Sequence, residues 1–184
     1  MEWCVEIRVI SFVVCFCFIS ITLLLSGFDA NEEAIACDPL LTGDALIKFK
    51  DLLTDPRNAT STWDNSLFTP CGNWFHISCG DHNEGDKVTR INLGNQQLSG
   101  SLSPELGKLK HLEYLELYDN SLTGSIPPEF GNMSNLQSLD LYDNKLSGSI
   151  PIELGNLKYL KFLSVFLPWQ PVSLQPIQIL LQFK

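Results

Sequence analysis

Along the middle of the chain, apolar residues return at a fixed interval of 24 positions. Counting from Val88, Leu112 and Leu136, Ile91 aligns with Leu115 and Leu139, and Leu93 with Leu117 and Leu141. Leu98, Leu122 and Leu146 follow, then Gly100, Gly124 and Gly148, then Leu102, Ile126 and Ile150. Leu106, Phe130 and Leu154 precede Gly107, Gly131 and Gly155, and Leu109, Met133 and Leu157 close the series. A unit of this size cannot bury its apolar side alone, and it does so by stacking on copies of itself. The pattern predicts a solenoid over 88–165, with three full coils and a fourth that begins at Leu160, Leu163 and Val165. Pro168, Gln170 and Val172 then break the register.

Within each coil the phrase is L-x-x-L-x-L-x-x-N, which identifies leucine-rich repeats. Side chains alternate along a strand, so Leu115 and Leu117, like Leu139 and Leu141, point inward. The residues between them point out: Arg90 and Asn92, then Tyr114, Glu116 and Tyr118, then Ser138, Asp140 and Tyr142. Asn120 and Asn144 stand where the chain turns, with amides suited to satisfying buried backbone groups. Gly124 and Gly148 suit positive φ or close approach, and Pro127 and Pro151 favour an extended run beyond them. The expected fold class is an α/β solenoid, a short repeat array behind an N-terminal helix-plus-strand cap.

An open stack needs that cap. Residues 31–87 are read as supplying it. Ala45, Leu46, Phe49, Leu52 and Leu53 fall at helical spacing, which predicts an amphipathic helix over 44–53 ended by Asp55-Pro56. Residues 70–79 (PCGNWFHISC) are expected to form a strand, turned over 80–86 and paired with 88–93. The helix with Trp63 and Trp74, and a disulfide holding the strand, would close the N-terminal end of the stack.

The ends change the picture of where the chain works. Val9 to Leu25 is an apolar run that reads as a secretory signal peptide over 1–30, with cleavage expected between 26 and 36. An uncleaved signal anchor is the alternative, because Glu2 and Glu6 offset the basic n-region. The six cysteines then divide. Cys4, Cys15 and Cys17 lie in the leader, Cys71 and Cys79 are expected to pair in an oxidising compartment, and Cys37 has no evident mate. Cys71, His76, Cys79 and His82 could in principle hold zinc, but their spacing does not follow the usual paired pattern, and no metal or cofactor is expected. Asn58 and Asn132 begin N-glycosylation sequons. The net charge of −9 leaves no basic footprint for nucleic acid. Residues 166–184 carry three prolines and four glutamines, which argues against a membrane helix there.

The cap phrase PCGNWFHISC, the Trp63-Asp64 pair and the repeats YLELYDNSLTGSIPPEFGNMSNL and SLDLYDNKLSGSIPIELGNL resemble plant extracellular leucine-rich-repeat proteins. The likeness is to the ectodomain of somatic embryogenesis receptor-like kinases and the short secreted proteins related to them. It runs from about Asp44 to Leu163. The resemblance implies a co-receptor-type surface that docks on a receptor-kinase ectodomain, with contacts at Phe75, His76, Tyr114, Tyr118 and Tyr142.

No nucleophile motif, phosphate loop or paired carboxylates stand out, so the chain is not expected to be an enzyme. Tyrosines in register on an exposed face are typical of interfaces. A secreted, apoplastic protein-binding module is the expected function. An inhibitor of secreted hydrolases and a truncated receptor-like fragment without activity of its own are the alternatives.

Overall fold

The computed structural model describes residues 39–64, 70–80 and 87–166. The leader, Cys37, His82 and the tail from 167 lie outside the described residues. Two sheets and a row of 3-10 helices form successive sides of each coil. The first sheet has the order β2(Ile77–Cys79)-β3(Val88–Asn92)-β5(Tyr114–Glu116)-β7(Ser138–Leu141)-β9(Phe162–Val165). The second runs β1(Leu53–Thr54)-β4(Ser99–Ser101)-β6(Ser121–Gly124)-β8(Lys145–Leu146). Pro104–Lys108, Pro128–Asn132 and Ile152–Asn156 are the 3-10 helices.

Register follows the repeat. Ile91 pairs with Leu115, Leu115 with Leu139 and Leu139 with Leu163, all in parallel. Ile91, Leu93, Leu98, Leu106, Leu115, Leu117, Leu122, Phe130, Leu139 and Leu141 have no exposure to solvent. Each such side chain contributes about 1.5–3 kcal/mol of burial, set against the entropy of ordering it. Leu160, Leu163 and Val165 are also buried, so the fourth coil keeps the register that its first residues announced.

Pro127 and Pro151 do start extended, at φ −65° and −61°, but each leads straight into a 3-10 helix. Those helices and the second sheet were not legible in the repeat phrase, because two- to five-residue elements set up no periodicity of their own. Gly107 and Gly131 show what their packing requires. A Cβ at either would collide with the carbonyl of Glu129 or Glu153 on the next coil.

The cap departs from its expected boundaries. The helix, α1, spans Pro39–Lys50, not 44–53. Pro39 suits a first helical position, and Lys48 and Lys50 in the last turn face the negative end of the helix dipole. Ala45, Leu46 and Phe49 are fully buried as read, but Leu52 is exposed and Leu53 leaves the helix to pair, in β1, with Gly100. Gly100, at φ +124°, lets the Leu52 carbonyl approach where a side chain would collide. Tertiary pairing thus ends the helix before Asp55-Pro56. The expected strand over 70–79 shrinks to Ile77–Cys79, antiparallel to β3. The residues before it form turns that swing Trp74 inward, 4% exposed, onto Trp63 with ring centroids 5.7 Å apart. Cys71 and Cys79 are joined, their Cα atoms 5.7 Å apart, which removes both thiols from any zinc site.

Asp55 holds the loop after β1. It accepts the N–H groups of Ala59 and Thr60 at 3.0 and 2.7 Å and the Thr60 hydroxyl at 2.8 Å. Partial burial works to raise its carboxyl, but these bonds and one from the Arg57 N–H outweigh it and hold it below the usual carboxylate range. A lowered folded value means the stabilisation is complete above the unfolded pKa of about 4 and disappears as pH falls through the folded one. Asp55→Ala should therefore cost about 1–3 kcal/mol near neutral pH, and the gap to wild type should narrow at an acidic pH, below the unfolded pKa of about 4. Urea unfolding at the two pH values measures it.

Asn120 and Asn144 close the corners of the coils. Asn120 Oδ1 accepts from the N–H groups of Gln96 and Leu98, and its Nδ2 faces the carbonyls of Leu93, Leu117 and Tyr118 at 2.8–3.1 Å. Asn144 accepts from Leu122 N–H and donates toward the carbonyls of Leu117, Leu141 and Tyr142. Asn144→Ala takes away the partner that the Leu122 N–H and the Leu141 carbonyl have here, while Leu117 and Tyr142 keep bonds from Asn120 and Asp119, and it is expected to cost about 1–3 kcal/mol in a urea melt.

Candidate protein-binding face

Parallel register stacks the outward residues of the first sheet in rungs. Arg90, Tyr114, Ser138 and Phe162 form one, and Asn92, Glu116 and Asp140 the next, which ends at a buried Ser164. Past the strand ends a third rung contains Gly94, Tyr118 and Tyr142. Its backbone repeats from coil to coil. Asn95 N–H donates to the Tyr118 carbonyl and Asp119 N–H to that of Tyr142, both at 2.9 Å. Tyr118 is 36% and Tyr142 44% exposed, at equivalent positions of adjacent coils. Tyr118 and Tyr142 therefore occupy neighbouring positions on one face.

Tyr114 is placed differently. It is half-buried, with the Arg90 guanidinium 4.0 Å from its ring centroid. Arg90 also bonds Glu116 at 2.8 Å. Anything meeting this rung meets a stacked Arg90–Tyr114 pair held by a carboxylate, an arrangement that costs little entropy to immobilise further.

The cap delivers Phe75 and His76 to the edge of the same sheet. Phe75 is 62% exposed, yet its backbone is fixed at both ends. Its N–H donates to the Thr62 hydroxyl at 2.8 Å, and its carbonyl accepts from the buried Trp63 indole at 2.9 Å. His76 is exposed, in the left-handed region at φ +68°, and its carbonyl accepts the Asn92 N–H at 2.9 Å. A histidine at that φ is under backbone strain that the neighbouring bonds must hold.

His76 and Tyr118 line one open cleft of about 600 Å³, together with Arg57, Ser78, Arg90 and Asn92. Four of the five residues expected at the site (Phe75, His76, Tyr114 and Tyr118) thus gather around the cap and the first two coils, and Tyr142 extends the face by one coil. Arg57 and Gly94 were missed. Gly94 could have been found, since it occupies the tyrosine position one period before Tyr118. Among the described residues no group of side chains has the geometry of a metal site. No described helix is long and apolar enough to cross a membrane.

The architecture is a capped leucine-rich-repeat array with an aromatic strip along one sheet. The leucine-rich-repeat N-terminal domain family matches residues 43–80, and the leucine-rich repeat family matches residues 86–146. The chain is a leucine-rich-repeat protein, similar to plant leucine-rich-repeat proteins and to the ectodomains of plant receptor kinases. Leucine-rich repeat protein 1 of Arabidopsis thaliana is 54% identical over 102 residues, which are 54% of this chain and 41% of that protein. The match thus spans less than half of that relative's length. A chain of the BIR3–SERK2 complex from Arabidopsis thaliana superposes with a TM-score of 0.59 at 32% identity, over 65% of this chain and 64% of that one. The Arabidopsis receptor kinase HAESA, solved with the peptide hormone IDA and the co-receptor SERK1, also gives 0.59, at 39% identity over 68% of this chain and 21% of the other.

Gly94 links packing to the face. A Cβ there would collide with the Tyr118 ring, which lies directly over it. Gly94→Ala is expected to expel the ring while leaving the buried core intact. The readout is a rise in Tyr118 fluorescence quenching by iodide, with the melting temperature within about 4 °C of wild type.

Proposed function

We propose that this chain is a secreted, extracellular protein-binding module of co-receptor type, which docks on a receptor-kinase ectodomain. The observation that carries the reading is the exposed Tyr118–Tyr142 pair, continuous through Tyr118 with the cap cleft that His76 lines. Large aromatic rings on a rigid backbone offer contact area at low entropic cost, and they dominate binding energy where they are desolvated. The similar structures support the class of partner, since one is the BIR3–SERK2 complex and the other holds a receptor kinase with a peptide hormone and a co-receptor. In this reading Phe75 and Arg90-stacked Tyr114 flank the tyrosine pair, and no catalytic chemistry is involved.

Glycans at Asn58 and Asn132 belong to the same proposal. Both asparagines are exposed, and Asn132 ends a 3-10 helix on a side of its coil other than the tyrosine-bearing sheet. Sugar there leaves the docking face clear. The leader over 1–30 provides the export that glycosylation and the Cys71–Cys79 disulfide need.

A pull-down against a panel of plant receptor-kinase ectodomains tests the docking. Tyr118→Ala and Tyr142→Ala should each weaken capture by about 20-fold or more, the range of an interface hot spot. Capture unaltered by both substitutions would remove the proposed site.

A further inference from the structure

The cleft between the cap and the first two coils collects basic groups from three separate stretches of chain. Arg57 comes from the loop after β1, His76 from the turn before β2, and Arg90 from β3. No Asp or Glu is among its described lining residues, on a chain whose net charge is −9. Local charge there runs against the charge of the whole.

The two arginines are not equivalent. Arg90 is already neutralised by Glu116 at 2.8 Å and stacked on Tyr114. Arg57 Nη1 donates to the Asn95 carbonyl at 2.7 Å, a neutral acceptor, and Arg57 takes part in none of the salt bridges among the described residues. That bond aims the guanidinium without cancelling its charge, and it leaves most of the five N–H donors free. The hydroxyls of Ser78 and Tyr118, on the same lining, make no hydrogen bond among the described residues. A fixed cation with two idle hydroxyls nearby is a recognition geometry for an oxyanion.

We infer that this cleft receives a carboxylate of the protein partner, with Arg57 as its charged contact and Ser78, His76 and Tyr118 as further polar contacts. The inference rests on the docking reading for the kind of partner and adds the chemistry by which the cleft selects it. A single negative charge fits better than a phosphate or sulfate dianion. Only Arg57 is unpaired, and Glu116 beside Arg90 adds a repulsion that grows with ligand charge. The volume of about 600 Å³ has room for an acidic side chain or a chain terminus with its flanking residues.

Titration of the purified chain, with its arginines labelled with ¹⁵N, tests this by NMR. Three acetylated tripeptides serve as probes: a C-terminally amidated one with a central glutamate, one with a free C-terminal carboxylate and no acidic side chain, and an amidated one with a central glutamine. A saturable shift of the Arg57 Nε resonance is expected with a carboxylate probe and none with the glutamine probe. Response to the first alone identifies an acidic side chain, to the second alone a chain terminus, and to both a carboxylate from either source. Read on the Arg90 Nε resonance, which lines the same cleft and which the variants retain, the affinity for the carboxylate probe should fall at least about 5-fold in Arg57→Gln, and Arg57→Lys should restore part of it. No Arg57 shift with either carboxylate probe, an equal shift with the glutamine probe, or a titration of Arg90 in Arg57→Gln equal to that in wild type would overturn the inference. The titration contains no receptor, so its failure leaves the tyrosine docking face standing, and loss of that face leaves the titration readable.

Discussion

Asparagine amides at the corners of the coils make the rest of the structure workable. A chain that folds back on itself every few residues leaves carbonyl and N–H groups pointing into an apolar interior, where each unsatisfied one costs several tenths to a few kcal/mol. Asn120 and Asn144 meet that demand with a single side chain spanning two coils. The same amides reach the carbonyls of Tyr118 and Tyr142. The residues that satisfy the scaffold therefore also set the backbone from which the exposed rings project. Scaffold and candidate binding face share one set of hydrogen bonds.

The cap repeats this economy. Trp63 is fully buried and stacks on Trp74, and its indole N–H holds the Phe75 carbonyl at the surface. Lys48 bridges α1 to the first 3-10 helix through Glu105, whose carboxyl the Lys108 ammonium keeps below the usual range. These exposed charges add little to stability. The cap's orientation, which the Trp63–Trp74 stack and the β2–β3 pairing set, decides where Phe75, His76 and Arg57 stand. A loosened cap would displace these side chains as well as lower stability.

Much of the site was legible in the chain, and the reason is geometric. Tyr118 and Tyr142 share a repeat position, so any stack that keeps the register must set them side by side. Leu52 shows where that logic fails. It fits the helical spacing of α1, yet it is exposed, because Gly100 draws the following residues into β1. Tyr114 also satisfied the outward rule, but alternation gives a direction and not a neighbour. Only the fold reveals that Arg90 covers its ring.

The sequence by itself determined the repeat length, the buried leucine ladder, the corner asparagines and the row of outward tyrosines, because periodicity reports which way each side chain points within a coil. Tertiary structure alone decided that Arg57, His76, Arg90 and Tyr118 surround one cleft. Those residues belong to a loop, a turn, a strand and a later coil, and no spacing relates them. Their meeting depends on how the Trp63–Trp74 stack, the Cys71–Cys79 bridge and the β2–β3 pairing seat the cap on the first coil. That is a matter of packing across the chain, which local pattern does not encode.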